Sequence, residues 1–412
     1  MCDVPALRFP EFTEEWKRIR VSDLLDFYST NSLSWEQLEY KSNEPYNLHY
    51  GLIHVGLPTL VDLTKDELPS IKEENVPKKY ELCKEGDVAF ADASEDTNEV
   101  AKVVEFYNLD GKKVVCGLHT IHGRDNNKQT AKGFLGYCFS STIFHYQIRR
   151  IAQGTKIYSI NTRNFSEVFV GLPSKSEQHK IATLLKLIDE RISTQNKIIE
   201  KYESLIQAIC DTLIEQETQQ VTLSFSDFGQ SYSGLSGKSA DDFGEGYPFI
   251  TYMNVYQNQI IDLTDVGLVK INETEQQSVV RYGDILLTLS SETPEEVGMG
   301  AVYLGETYPL YLNSFCFGIH ITDESKIYPP FLAYYVSSQS FRKAVYPLAQ
   351  GSTRFNLQKS DFMKKKFSFP VIEKQHKIYS ILKIYSDKLI VEKLIMRLLC
   401  NQKCYLLRQL FI

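Results

Sequence analysis

The chain lacks any run of about 18 consecutive apolar residues, the length that a membrane-spanning helix needs. Its first twenty residues include several acids and no apolar core segment, so they do not have the pattern of a secretory signal peptide. We therefore expect no membrane partner and a cytoplasmic location. The eight cysteines are scattered without the spacing of a disulfide framework, which fits a reducing compartment.

Sequence motifs for nucleotide or cofactor binding are also missing. "SGLSGKS" at 233–239 lacks the first glycine of a phosphate-binding loop, because that place is taken by Tyr232. "FGEGYPFI" at 243–250 follows no apolar strand, and we interpret it as a turn that leads into a strand, "YPFITYMNV". No amino-methyltransferase or nuclease signature occurs. We predict no catalytic centre and no cofactor in this chain.

Ligand sets for a metal ion are incomplete as well. Cys400 and Cys404 are four residues apart, as two ligands on one helix face would be, but no second pair completes a zinc site. His119 and His122 are not part of a zinc-binding motif and are more typical of a core or a surface. We predict no metal.

The chain does contain a long internal repeat. "QHKI" begins at Gln178 and again at Gln375, an offset of 197 residues. The same offset relates "AQGTKIYSI" at Ala152 to "AQGSTRFNL" at Ala349, and it relates three further pairs: Gly86 and Gly283, Phe134 and Phe331, and Pro173 and Pro370. A period of this length indicates a duplicated domain rather than a solenoid of small repeats.

Each half has the same layout. Short apolar runs broken by Gly, Pro, Asn and Asp come first, and "VVCGLHTIHG" and "DILLTL" among them predict strands. "PPFLAYYVSSQSFRKAV", at 329–345, predicts one helix with prolines at its start. A proline then precedes a long helical pattern in both halves.

The long helical patterns, at 176–217 and 371–412, have apolar residues at alternating spacings of four and three, which is a heptad seam. Their net charges of −3 and +5 favour pairing with each other. Two amphipathic helices in separate cores remain the alternative. We predict that the following residues pair the helices: Ile181, Leu185, Ile188, Ile192, Ile199, Ile206, Leu382, Leu389, Met396, Leu399 and Leu406. Gln195 and Glu392 interrupt the seam at the same step.

Positive charge is concentrated in two equivalent segments, although the whole chain has a net charge of −7. Residues 126–166 contain no Asp or Glu, and residues 325–372 contain Asp361 alone against eight Lys and Arg. Such depletion of acids is expected of a surface that faces phosphates; a solvated basic face without a partner is the alternative. The A-Q-G-[ST] turns could present backbone N–H groups to a phosphate or could be ordinary turns.

From these segments, and from the family resemblance described next, we predict a set of DNA-contacting residues. Ser94, Glu95, Ser291 and Glu292 join it because they follow a strand at the shared offset, and a carboxylate can accept from cytosine N4; a turn or cap role is the alternative. The predicted residues are Arg149, Arg150, Thr155, Lys156, Tyr158, Arg163, Ser94 and Glu95 in the first half, and Arg342, Lys343, Ser352, Thr353, Arg354, Asn356, Lys359, Ser291 and Glu292 in the second.

The order of these motifs resembles that of one family. The opening "PALRFPEFTEEWKRIRVSDLLDF", the paired Gly-Asp strands, A-Q-G-[ST], P-x4-Q-H-K-I and the closing "YLLRQLFI" are similar to specificity subunits of type I restriction–modification systems. The resemblance covers nearly the whole chain. The first long helix departs from the family by ending in "LIQAICDTLI", where a more basic stretch is common.

The resemblance implies an α+β fold in which two duplicated mixed α/β target-recognition domains are separated by two long helices that form an antiparallel coiled coil. The domains would be residues 1–175 and 218–370, and the helices 176–217 and 371–412. Each domain would read one half of a bipartite site in double-stranded DNA. The chain would be non-catalytic and would recruit two methyltransferase subunits, which use S-adenosylmethionine, and restriction subunits, which use ATP and magnesium.

Other classes of protein are open at this point. One is a coiled-coil scaffold with two protein-binding domains and no DNA contact. Others are an enzyme with an unrecognised site and the specificity part of a fused methyltransferase–nuclease.

Overall fold

The structure is a computed structural model and describes residues 4–41, 44–306 and 308–412. The chain divides into two compact units. The first consists of residues 1–196 and 394–412, and the second of residues 197–393. Each unit therefore contains a mixed α/β region together with one part of each long helix. No helix in the described residues is long and apolar enough to cross a membrane.

The first unit contains a five-stranded sheet of order β2-β11-β7-β9-β5 and a four-stranded sheet of order β10-β4-β6-β3. Its strands are β1 (Lys17–Arg20), β2 (Asp26–Tyr28), β3 (Leu38–Glu39), β4 (Tyr46–Leu48), β5 (Leu60–Asp62), β6 (Ser70–Ile71), β7 (Val88–Ala91), β8 (Ala93–Ser94), β9 (Val103–Asn108), β10 (Val114–Cys116), β11 (Thr120–Arg124), β12 (Tyr158–Ser159) and β13 (Phe169–Leu172). Its helices are α1 (Val21–Leu24), α2 (Tyr50–His54), α3 (Phe134–Phe139) and α4 (Thr142–Ile151). It also contains the first part of α5, whose full range is Lys175–Glu215.

The second unit repeats this plan with a four-stranded sheet of order β15-β22-β18-β20 and a three-stranded sheet of order β17-β16-β21. Its strands are β14 (Gln220–Ser224), β15 (Gly229–Ser233), β16 (Phe243–Ile250), β17 (Val266–Val269), β18 (Ile285–Thr288), β19 (Ser290–Ser291), β20 (Gly300–Val302), β21 (Tyr311–Leu312), β22 (Cys316–Ile321), β23 (Ala349–Gln350), β24 (Phe355–Leu357) and β25 (Lys366–Pro370). Its helices are α6 (Tyr252–Gln257), α7 (Pro329–Tyr335), α8 (Gln339–Val345) and α9 (Lys359–Lys364). It also contains the first part of α10, whose full range is Ile372–Gln409.

The glutamines of the two "QHKI" segments make the same buried hydrogen bonds. Gln178 accepts from the N–H of Ala131 (2.7 Å) and donates to the carbonyl of Pro173 (3.0 Å). Gln375 accepts from the N–H of Tyr328 (2.8 Å) and donates to the carbonyl of Pro370 (2.8 Å). Each glutamine thus fastens the start of a long helix to the segment that precedes α3 or α7.

Within each unit the two long helices run antiparallel. In the first unit the Asp189 carboxylate lies 2.6 Å from the Lys403 ammonium. In the second unit Glu203 pairs with Lys393 at 2.7 Å and Glu217 with Lys374 at 3.0 Å, so the two sequences run in opposite directions. The predicted fold class, a duplicated α/β domain with an antiparallel helix pair, is confirmed.

The heptad seam lies on the less exposed side of both helices. Every predicted pairing residue is buried or half-buried, as are the polar positions Gln195 and Glu392. Toward the end of α5 the deepest positions are Cys210 and Ile214, which are 2% exposed. They pack into the core of the second unit, where the Cys210 thiol lies 3.6 Å from the carbonyl of Tyr334.

Two predicted elements differ in the structure. The single helix predicted over 329–345 is divided into α7 and α8, because the Ser338 side chain accepts from the N–H of Phe341 and so starts a new helix. The strand predicted over "YPFITYMNV" begins earlier, at Phe243, and ends at Ile250. Thr251 then caps α6 through the N–H of Asn254, so the second half of that segment is helical.

Candidate nucleic-acid interface

The A-Q-G turns form the same tight hairpin in both units. Gly154 has a φ of +139° and Gly351 a φ of +144°, which L side chains rarely adopt. A Cβ at these positions would lie 1.9 Å from the Ile157 carbonyl oxygen and 2.0 Å from that of Arg354. Only glycine fits this backbone. The residues after each glycine, Thr155 and Lys156 in the first unit and Ser352, Thr353 and Arg354 in the second, are exposed.

Each hairpin pairs with the short strand that follows the Gly-Asp strand, and this brings predicted DNA-contacting residues together. Tyr158 is opposite Ser94 in the first unit. In the second unit Asn356 is opposite Ser290, and Phe355 is opposite Ser291. The hairpin and the short strand are distant in the sequence, but the predicted residues that these two elements carry lie on one surface in each unit.

Aromatic side chains that the sequence did not indicate also border this surface. Helix α2 carries Tyr50 and His54 with ring centroids 6.0 Å apart, and helix α6 carries Tyr252 and Tyr256 with the same separation. The tyrosines are 202 residues apart rather than 197, so the repeat offset does not match them. In both halves a short helix follows the first strand that pairs in parallel, β4 or β16. That shared order of elements would have indicated these aromatic residues.

A loop residue before β11 or β22 adds a further ring. His119 occupies the same position in the strand register of the first unit as Phe315 does in that of the second. Both are exposed, with 51% of the His119 side chain and 56% of Phe315 accessible. Aromatic faces beside basic residues can stack on bases or pack against sugars. In each unit the A-Q-G hairpin, the short strand paired with it and the neighbouring aromatic residues together form one surface. We call these the hairpin surface of the first unit and the hairpin surface of the second unit.

The second unit's hairpin surface surrounds a cavity of about 310 Å³. It is lined by Tyr252, Met253, Tyr256, Ser290, Ser291, Glu292, Glu296, Phe315 and Arg354. The Arg354 guanidinium lies 6.0 Å from the centre of the Phe315 ring. Tyr256 and Ser291 donate to the Glu296 carboxylate at 2.7 Å and 3.0 Å. These hydrogen bonds lower the pKa of Glu296, so the cavity holds a carboxylate next to an arginine.

The first unit's hairpin surface has a different lining. His119 contacts the Asp92 carboxylate at 3.1 Å, and its ring centroid lies 5.2 Å from that of Tyr50. A cavity of about 520 Å³ opens beside it and is bordered also by Lys79 and Tyr80. The two units therefore share a scaffold and differ in the side chains that they present, as expected if they read different partners.

The remaining predicted residues lie at several places. In the first unit Arg149 donates to Asn98 at 2.8 Å, beside the loop that contains Glu95. Arg150 instead borders a separate cavity of about 950 Å³ with Arg18 and Tyr146. Arg163 is exposed on the short 3-10 helix at 162–166.

In the second unit Arg342 is held by the protein itself. Its guanidinium donates to the carbonyls of Glu295, Val297 and Gly298, and burial lowers its pKa. The neighbouring Lys343 is exposed. Lys359 donates to the Ser233 hydroxyl at 3.1 Å. Arg342 thus supports the loop that carries Glu296.

Duplicated α/β units with equivalent hairpin surfaces, together with an antiparallel helix pair, define a class of protein that is built on an internal repeat. A family model for the type I restriction modification DNA specificity domain matches residues 13–204 and again residues 224–398. The chain belongs to this family and is a specificity subunit of a type I restriction–modification system.

Individual relatives agree with this placement. The chain is 23% identical to the type I restriction enzyme MjaX specificity subunit of Methanocaldococcus jannaschii, over 93% of this chain and 89% of the relative. The S subunit of the type I system of M. genitalium has the same fold, with a TM-score of 0.53 and 17% identity over 99% of both chains.

A further structural relative comes from work on complex assembly and conformational transition of the type I system. It aligns with a TM-score of 0.58 and 14% identity, over 95% of this chain and 96% of its own length. Neither the scaffold nor the fused-enzyme alternative gains support from these comparisons.

Proposed function

We propose that each unit reads one half of a bipartite site in double-stranded DNA through its hairpin surface. The observation that carries this proposal is that both units build the same surface, from a glycine hairpin, a short strand and exposed aromatic residues. A repeated surface with different side chains suits two half-sites of different sequence. Catalysis would be left to partner subunits.

The residues of a hairpin surface would divide into two roles. Lys156 and Arg354, at the exposed tips of the hairpins, would contact phosphates and position the protein. Ser94, Glu95, Ser291 and Glu292 would face base edges, where a carboxylate accepts from cytosine N4. Arg342 would act through the loop that it holds rather than by touching DNA.

We further propose that the methyltransferase subunits dock on helix α10. In the second unit this helix exposes Ile381, Ile384, Ile390 and Val391 to solvent, with Ile384 at 68%. In the first unit it exposes Leu394, Leu398 and Tyr405, with Leu398 at 59%. Apolar residues at helical spacing on a solvent-facing side are suited to a partner helix.

The expected assembly has two methyltransferase subunits and restriction subunits. S-adenosylmethionine, ATP and magnesium would bind to those partners rather than to this chain. A cytoplasmic location follows from DNA as the substrate of the assembly.

The DNA-contact proposal is tested with Lys156→Ala and Arg354→Ala in the complex with its methyltransferase. Each variant should weaken DNA binding and reduce the slope of log affinity against log salt by about 0.9, because one phosphate contact is lost. Fluorescence anisotropy with labelled duplex DNA across a salt series measures both quantities. Lys270→Ala is the matched control, since Lys270 is exposed and paired with Glu245 at 2.7 Å. Unchanged slopes for both hairpin variants would place the hairpins away from DNA.

A further inference from the structure

Three metal-ligand side chains meet in the interior of the first unit. Cys83 precedes β7, Cys116 ends β10 and His122 lies in β11. The two thiol sulfurs are 3.5 Å apart, and the ligand atoms of all three residues lie within 4.8 Å of one another. All three side chains are buried. The sequence spacing did not indicate this cluster, because the three residues come from separate strands and a loop.

The His122 imidazole lies beside the two thiols, and one of its nitrogens has no hydrogen-bond partner among the described residues. Its Nε2 lies 2.7 Å from the Asp87 carboxylate, and Arg124 donates to the same carboxylate with two bonds of 2.8 Å. Its Nδ1 is buried and has no hydrogen-bond partner among the described residues. A histidine that ligates a metal through one nitrogen commonly donates from the other to a carboxylate.

The second unit shows that the scaffold does not need these three residues. Val280 makes the backbone bond to Leu310 that Cys83 makes to Val114, both at 2.8 Å. Leu312 pairs with Ile250 of the parallel strand as Cys116 pairs with Leu48. Valine and leucine thus stand where the first unit has its two thiols.

Glycine occupies the histidine position in the second unit. Gly318 is opposite Leu286 as His122 is opposite Ala89. A Cβ on Gly318 would lie 2.0 Å from the ring of Tyr232, whose hydroxyl donates to Asp284 at 2.7 Å. In the second unit a tyrosine therefore makes the hydrogen bond to the buried aspartate that the histidine makes in the first unit. The ligand set is specific to the first unit.

We propose that the first unit binds one structural Zn²⁺ ion through Cys83 Sγ, Cys116 Sγ and His122 Nδ1. Two thiolates and an imidazole are preferred zinc ligands, and with Zn–S bonds of about 2.3 Å two thiolates on a tetrahedral ion lie about 3.8 Å apart. The observed separation of 3.5 Å needs only a small adjustment.

Charge and access are also consistent with zinc. Binding releases the two thiol protons to solvent, and the two thiolates then balance the charge of the ion. Arg124 balances Asp87. Cys116, one of the three ligands, also borders the cavity of about 520 Å³, and we expect a water molecule as the fourth ligand.

The chain connects this site to the first unit's hairpin surface. The segment between Cys116 and His122 carries the exposed His119, so its two ends would both be fixed to the ion. Cys83 would connect the loop before β7 to the same point. Zinc would therefore hold the loop that presents His119, in the first unit only.

Metal content of the full chain in complex with its methyltransferase tests the proposal directly. The complex is purified in a reducing buffer without chelator, and zinc is measured by inductively coupled plasma mass spectrometry. We expect about one zinc per chain beyond the content of the methyltransferase alone. Cys83→Val and Cys116→Leu, which install the residues of the second unit, should each lose this zinc. Cys138→Val changes another buried thiol of the first unit and should retain it.

Cobalt provides a second measurement. Replacing zinc by Co²⁺ should produce a thiolate-to-cobalt charge-transfer band in the wild-type chain and in Cys138→Val, and no such band in Cys83→Val. The wild-type measurements decide the matter even if a cysteine variant fails to fold.

Three outcomes would overturn the proposal. They are a wild-type chain without zinc, a disulfide between Cys83 and Cys116 in protein alkylated before reduction, and full zinc retention by both variants. None of these readouts depends on DNA binding, so the proposed function is tested separately.

Discussion

At the scale of single residues, one buried carboxylate distinguishes the first unit from the second. Glu105 is fully buried and accepts hydrogen bonds from the N–H groups of Gly133 and Gly136 at the start of α3, the latter at 2.7 Å. Val302 stands at the repeat offset in the second unit. Burial disfavours the charged form more than the two N–H groups favour it, and the pKa of Glu105 is raised to about 7.

The raised pKa predicts that the first unit loses stability as the pH rises. In the unfolded chain Glu105 ionises near pH 4.5, while in the folded chain it keeps its proton until about pH 7. Its contribution is therefore complete below about pH 4.5 and is lost through pH 7, which amounts to about 3 kcal/mol. Glu105→Gln removes this titration and should flatten the pH dependence.

Urea unfolding followed by tryptophan fluorescence between pH 5 and 8 measures this effect. Both tryptophans, Trp16 and Trp35, belong to the first unit, so the signal reports that unit alone. Glu15→Gln, at an exposed position, is the control and should keep the wild-type pH dependence. Equal stability of the wild-type unit at pH 5 and pH 7 would contradict the raised pKa.

At the scale of elements, the long helices and the A-Q-G turns were predictable because their signals are local and occur twice. The alternating spacing of apolar residues predicted both helices, and the glycine of A-Q-G predicted a turn, although not the hairpin to which the turn belongs. The break between α7 and α8 was missed because Ser338 uses its side chain as a cap within an otherwise helical pattern. The pairing of Tyr158 with Ser94 depends on chain topology, which a single sequence does not reveal.

Helix α10 leads to a prediction about assembly. Ile384→Asp and Leu398→Asp place a charge on exposed apolar positions, so the chain should still fold. If a methyltransferase helix packs there, losing one buried side chain removes about 2 kcal/mol or more of binding free energy, which weakens the complex more than tenfold. Co-purification and titration of the methyltransferase against each variant measure the loss.

Val55→Asp is the matched control for these two variants. Val55 is 78% exposed and lies just after helix α2, so it belongs to neither long helix. This variant should assemble with wild-type affinity. Wild-type affinity for both helix variants would show that the methyltransferase docks elsewhere.

At the scale of the whole molecule, duplication explains both what the units share and where they differ. The buried glutamines that fasten the long helices, Gln178 and Gln375, make equivalent bonds in both units. The residues that line the two hairpin surfaces differ, with His119 in one unit and Phe315 in the other. Constraints of folding account for the first set, and the proposed recognition of a different half-site by each unit would account for the change in the second set.

This division predicts that recognition is modular. Replacing residues 218–370 with the matching region of another family member should change one half of the recognised DNA sequence. The other half should persist, because the hairpin surface of the first unit, including Lys156 and His119, is untouched. Both long helices also remain, with Gln375 in place to fasten α10, so assembly with the methyltransferase should continue. Methylation mapping in cells that carry the chimera and its methyltransferase measures both halves at once. A chimera that assembles but rewrites both half-sites would show that the units do not read DNA independently.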